Sequence, residues 1–226
     1  MTIGSQPQEF LQDSRIKVSV NESTRGSVAM VVNEDCSMEL IAHNFECFPT
    51  DSGAYRELRP LLLSCTEVRF PYSIGDTNSN QFTFGFDDRL KAQLITCGAV
   101  ETPFEMPAEI KKEYDFAFSF AGRLVVVEVE KANREKILYD YLKFHMYLKS
   151  GADFSILFLT KNYAHRLGEW NLFDWGVKRY RQCLEFGFGN SQLFDRMLLV
   201  GYEQCTVEGI PLSSRVRASL IALEER

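Results

Sequence analysis

Between residues 115 and 160 the spacing of apolar and polar positions changes period several times, and each change predicts an element. Asp115 to Phe120 (DFAFSF) and Arg123 to Glu130 (RLVVVEVE) are β-rich runs joined by Ala121-Gly122, the length and chemistry of a two-residue hairpin turn. From Asn133 to Lys149 the apolar residues Ile137, Leu138, Tyr141, Leu142 and Leu148 recur at helical spacing, with Asn133 as N-cap and Gly151 as the stop. Phe154 to Thr160 (FSILFLT) is continuously apolar and β-rich, the pattern of an interior strand.

The flanks are less regular. Ser27 to Val32 (SVAMVV) predicts a short strand, and Gly53 to Thr66 a helix whose limits Pro60 blurs. Phe70 to Gln81 has the Pro, Gly, Asn and Asp content of a loop. Asp87 can cap a helix running to Gly98. A helix near Trp170 to Leu184, a strand at Met197 to Tyr202 and a terminal helix from Ser213 to Glu224 follow. Residues 1–25 are polar and read as a loose N-terminal segment. With no internal repeat, low-complexity tract or linker, residues 1–226 read as a single α/β domain, a mixed central sheet flanked by helices.

Composition narrows the classes. A hydrophobic fraction of 45% and a charged fraction of 25% suit a folded soluble protein. The six cysteines form no CxxC pair and there are only 3 histidines, which disfavours structural zinc and suits reduced thiols in a cytoplasmic protein. The N-terminus lacks an apolar signal-like run, and nothing approaches the roughly 20 apolar residues of a membrane span. A cytoplasmic protein with no membrane partner is expected.

The net charge of −6 argues against indiscriminate coating of nucleic acid. That charge is segregated, however. Lys131 to Lys149 and Lys161 to Arg181 each hold five basic and two acidic residues, whereas Glu101 to Asp115 holds five acidic and two basic. Basic helix faces in water would give the same counts.

The hairpin sets the candidate chemistry. With Ala121 and Gly122 at its turn, Phe120 faces Arg123 and Asp115 faces Glu128, and strand alternation puts Glu130 on the face of Glu128. Three carboxylates on one patch repel unless a cation joins them. With no His or Cys among them the donor set is all oxygen, which points to Mg²⁺, with Mn²⁺ as a substitute. Such an ion activates water and stabilises charge on a phosphodiester oxygen. The competing reading puts Glu128 and Glu130 on the solvent side of an amphipathic strand. The valines before and between them, and the apolar segments that follow, argue for a sheet covered on both sides.

An Asp at the start of a strand, a turn, then acid-x-(acid or Lys) in a valine-rich strand followed by a helix resembles the core of the PD-(D/E)XK restriction-endonuclease-like superfamily. The acid-x-Glu version is similar to the BamHI, BglII and BstYI group. The run ILYDYLKFHMYLKSGADFSILFLTKNY and the earlier helix Asp87 to Gly98 carry the likeness over about residues 85 to 165. The resemblance implies an Mg²⁺-dependent endonuclease acting as a homodimer on a short site in double-stranded DNA. Its metal would be held by Asp115, Glu128 and the Val129 carbonyl, with Glu130 in the third motif position. That position usually holds Lys. Here Lys131 lies one residue further, on the opposite face unless a bulge turns it, and is kept as a helper. A fourth acid from the preceding segment would be Asp88 or Glu113. Two rivals remain: a repair or defence nuclease with the same core, and a non-catalytic nuclease-fold module binding DNA or a partner.

Other residues change this little. His145 has no evident acid partner and reads as a packed or surface histidine. Arg134, Lys136 and Lys143 follow the acidic strand and are candidates for backbone contacts. Lys161, Arg166, Lys178, Arg179 and Arg181 are candidates for bases or phosphates. Trp170, Phe173 and Trp175 read as core or dimer contacts.

Overall fold

The computed structural model of the protein describes residues 39–71, 85–106, 114–165, 168–188 and 191–224, and all of them belong to one unit, Ser37–Arg226. In chain order the elements are β1 (Glu39–Phe48), α1 (Gly53–Ser64), β2 (Glu67–Pro71), α2 (Phe86–Thr96), β3 (Val100–Glu101), β4 (Phe116–Phe120), β5 (Arg123–Glu130), α3 (Lys136–Lys149), β6 (Phe154–Thr160), β7 (Tyr163–His165), β8 (Gly168–Trp170), α4 (Leu172–Glu185), α5 (Ser191–Asp195), β9 (Met197–Thr206) and α6 (Ser214–Glu224). The run at Ser27 to Val32, the loose segment 1–25, Glu113 and Arg166 lie outside the described residues. No helix among those described is long and apolar enough to cross a membrane.

The fold is mixed α/β, with one seven-stranded sheet in the order β2-β1-β9-β6-β5-β4-β3 and six helices among the described residues. β5, β6 and β9 run parallel, while β4 and β3 on one flank and β1 and β2 on the other join antiparallel. The β4–β5 hairpin has the register its turn dictates, Phe116↔Val127 through Phe120↔Arg123. Both turn residues take positive φ, 49° at Ala121 and 78° at Gly122, as a type I′ turn requires. Glycine meets that requirement without strain, and alanine at the first position meets it at some cost.

The continuous apolar run of β6 is explained by burial along its whole length. On one face Ala117, Val126, Leu157, Leu159 and Leu199 pack with Ile137, Tyr141, Phe144 and Tyr147 of α3 and Leu172, Phe173 and Tyr180 of α4. On the other, Phe86 of α2 stacks on Tyr202 of β9, ring centres 4.7 Å apart, and meets Phe70 of β2 at 5.0 Å.

Gly201 sits where Phe173 of α4 presses onto β9. A Cβ there would lie 2.5 Å from the Phe173 ring. Gly201→Ala is therefore expected to destabilise by about 1–3 kcal/mol, because a packed ring must move aside. Thermal unfolding of the two proteins measures this, and an unchanged midpoint would mean that α4 is loosely seated.

Several expectations shift. Phe70 and Pro71 end strand β2 rather than opening a loop, while residues 72–81 lie outside the described residues. β1 has no counterpart in the sequence reading. α3 starts at Lys136 instead of after Asn133, because Asn133 Oδ1 accepts from the Glu135 amide in a turn that precedes the helix. α2 starts at Phe86, behind Gly85, so Asp87 lies inside its first turn rather than capping it.

Candidate functional site

Asp115 precedes β4 by one residue and stands opposite Glu128, as the hairpin register demands. It is exposed, and its Oδ2 accepts from the Val129 amide at 2.6 Å, in the place where a longer β4 would have supplied a carbonyl. A strand residue sends its N–H and C=O out on the same edge. The Val129 carbonyl therefore also leaves β5 past the end of β4, beside Asp115.

Glu128 is 5% exposed. Its Oε1 receives the Tyr147 hydroxyl at 2.5 Å and the Lys143 ammonium, both from α3. Burial pushes its carboxyl above the usual carboxylate range, the Lys143 and Tyr147 bonds pull the other way, and Asp115 adds to the rise. An unpaired carboxylate here would be very costly. The two α3 side chains offset part of that cost.

Glu130 shares that face and is 6% exposed, yet its carboxylate is turned to the β5–α3 connection. Its Oε1 accepts the amides of Ala132 at 3.0 Å and Asn133 at 2.7 Å, and its Oε2 lies 3.6 Å from the Lys136 ammonium. Glu130 in turn raises the Lys136 pKa. Among the described residues no three of His, Cys, Asp and Glu come together as a metal-binding group. The hairpin thus brings Asp115 and Glu128 together and places Glu130 on their face, but the carboxylate of Glu130 is spent on a turn.

Lys131 points to the opposite face, as alternation requires, and binds Asp87 Oδ2 of α2 at 2.5 Å. Burial lifts the Asp87 carboxyl above its ordinary range, Lys131 lowers it, and the charge of Asp115 adds to the rise. Asp87 Oδ1 is buried without a hydrogen-bond partner among the described residues. Asp88, the acid expected from this helix, is exposed.

Sequence reasoning also missed the part of α3. Lys143 is 7% exposed and paired to Glu128, which removes it from the candidates for backbone contacts. Asp140, 4% exposed, completes the charged layer between β5 and α3. Burial first, then Glu128, pushes its carboxyl up to about 7. The spacing of Asp140, Lys143 and Tyr147 was a visible signal, since helix positions three and four apart share a side.

That shift carries a sign. The folded chain holds the Asp140 proton more tightly than the unfolded chain, so this residue's contribution is present at low pH and is lost as pH rises towards about 7. Asp140→Asn removes the titration. It is expected to flatten the fall in stability over that window and to be the more stable protein above it, by on the order of 3 kcal/mol. Urea unfolding at both ends of the window measures this, and parallel pH profiles for the two proteins would exclude it.

The remaining candidates are dispersed. His145 is half-buried on α3. Lys161 bridges Glu46 at 3.0 Å and Glu203 at 3.1 Å. Phe173 is core, and Trp175 is partly buried against that core. Five described cysteines, 47, 65, 97, 183 and 205, are free thiols.

No protein-family model matches the chain, and no curated protein matches it.

Proposed function

We propose that the protein is a metal-dependent DNA endonuclease with a restriction-endonuclease-like core, hydrolysing phosphodiester bonds at a short site in double-stranded DNA. One observation carries the reading: Asp115 and Glu128 face each other where β4 ends, one held by a backbone amide and the other by a buried ammonium. The order of α2, β4, turn, acid-bearing β5, α3 and apolar parallel β6 supports it.

The donors fit a hard cation. Asp115 is exposed and commits one oxygen to the Val129 amide, the Val129 carbonyl leaves the same strand edge, and Glu128 stands opposite Asp115 in register; all are oxygens suited to Mg²⁺ or Mn²⁺. When bound, such an ion supplies Lewis acidity towards a phosphodiester oxygen and a more acidic water. The chain's own residues prepare this. Lys143 and Tyr147 fix the Glu128 carboxylate and favour its ionised form. Glu130 locks the turn into α3 and so sets the height of Lys143 beside β5. Lys131 holds Asp87 of α2 against the far face of β5. In this reading the enzyme is cytoplasmic and works as a homodimer, one centre per strand.

Supercoiled plasmid incubated with Mg²⁺ or Mn²⁺ tests the proposal against the same digest in EDTA. Discrete linear fragments are expected. Smearing or nicking identifies a repair or defence nuclease of the same fold, and intact plasmid under every metal condition refutes the enzyme.

A second reading, a nuclease-fold module without catalysis, is favoured by the internal partners that Asp115, Glu128 and Glu130 already hold.

A further inference from the structure

Arg134 lies in the turn between β5 and α3, its guanidinium 5.7 Å from the ring centre of Trp170 and 4.9 Å from that of Trp175. Lys178 and Arg179 of α4 lie 5.4 and 5.5 Å from the same Trp175 ring. Three cations therefore surround one indole, no two of them further apart than about twice those distances. The ring's π face offsets part of their mutual repulsion and pins three long side chains in place.

Their anions are largely missing. Arg134 reaches Glu135 at 3.2 Å, and Arg179 bonds the neutral Gln182 at 2.9 Å and no carboxylate among the described residues. Among the described residues Lys178 has no carboxylate partner, nor has Arg181, which lies 5.2 Å over the Phe48 ring. By contrast Arg69, Lys91 and Arg123 each face a carboxylate, Glu67, Glu101 and Asp153. In a chain of net charge −6, a preassembled and underneutralised cationic cluster is a focus for a polyanion.

We propose that Arg134, Lys178 and Arg179, ordered on Trp175, form a clamp for the sugar–phosphate backbone of duplex DNA. The choice of DNA as polyanion rests on the nuclease reading above. The cluster's breadth matches about three successive phosphates of one strand, which rise roughly 3.4 Å each along the axis. Its position also fits. Arg134 follows the turn whose Asn133 amide Glu130 holds at 2.7 Å, so the clamp and the acids share the carboxyl end of β5.

Both tryptophans of the chain, Trp170 and Trp175, belong to this cluster, so intrinsic emission reports it directly. The full chain is titrated with a labelled duplex in EDTA, reading tryptophan emission and anisotropy over a range of salt. Emission is expected to change on binding. The double variant Lys178→Gln/Arg179→Gln is expected to bind at least about tenfold more weakly at low salt, and to lower the slope of log affinity against log salt by about two. Lys178→Glu should weaken binding further, while Arg69→Ala/Lys91→Ala leaves slope and affinity unchanged. A wild-type slope in the double variant overturns the clamp, as does tighter binding to heparin or to phosphatidylserine vesicles than to DNA. Binding without cleavage in Mg²⁺ would sink the enzyme and leave the clamp; cleavage with an unaltered salt slope in the double variant would do the reverse.

Discussion

Lys143→Ala is expected to cost about 3–5 kcal/mol of folding stability, because it leaves the Glu128 carboxylate buried with no cation. Glu128 is 5% and Lys143 7% exposed, so water cannot take the lysine's place without opening the layer between β5 and α3. Tyr147 alone remains, and a neutral donor compensates less than a charged one. The effect has a pH signature. Burial already raises the Glu128 pKa in the wild type, and losing Lys143 raises it further, so the deficit is largest at high pH and shrinks as acid protonates the carboxyl. Lys143→Met paired with Glu128→Leu is expected to recover most of the loss, since an apolar pair of similar volume replaces a buried ion pair at little cost. Denaturant unfolding of the wild type and the two variants decides it. A loss under about 1 kcal/mol would mean that the pair is solvated.

Asp115→Ala is expected to lower Mg²⁺-dependent cleavage on the order of 10²–10³-fold or more, the scale of removing one group that stabilises charge in a reacting centre. Its structural cost is small. Asp115 is exposed, and the substitution frees only the Val129 amide, worth about 1 kcal/mol. Asp115→Asn separates the two effects, because its amide oxygen can still accept from Val129 while the negative charge is gone. Cleavage lost at an unchanged melting temperature would place Asp115 in the chemistry. Cleavage retained by Asp115→Asn would take it out of metal binding.

The relation between Asp115 and Glu128 was legible because it depends on two local quantities, the length of a turn and the period of a strand. Lys131 was legible for the same reason: alternation put it opposite Glu130, and it binds Asp87 there. The destinations of the acids were not legible. Glu130 at the last position of β5 can serve a neighbouring carboxylate or the amides just beyond it, and the amides of Ala132 and Asn133 are nearer. Lys143 and Tyr147 enter only because the parallel crossover lays α3 over β5, a tertiary relation that helical spacing alone does not assign. β1 escaped detection for another reason. Its ELIAHNFECF sequence has no sustained alternation, and Asn44 takes a positive φ of 57° within a register shift between His43 and Glu46.

Calorimetric titration of Mn²⁺ into the wild type, Asp115→Asn and Glu128→Gln is the most direct test of whether the facing acids hold a metal ion. Saturable binding in the wild type, lost in both variants while their folds persist, is the expected result. Equal heats in all three proteins, or none in the wild type, would make the Asp115–Glu128–Lys143 arrangement purely structural and leave the non-catalytic module in possession of the fold.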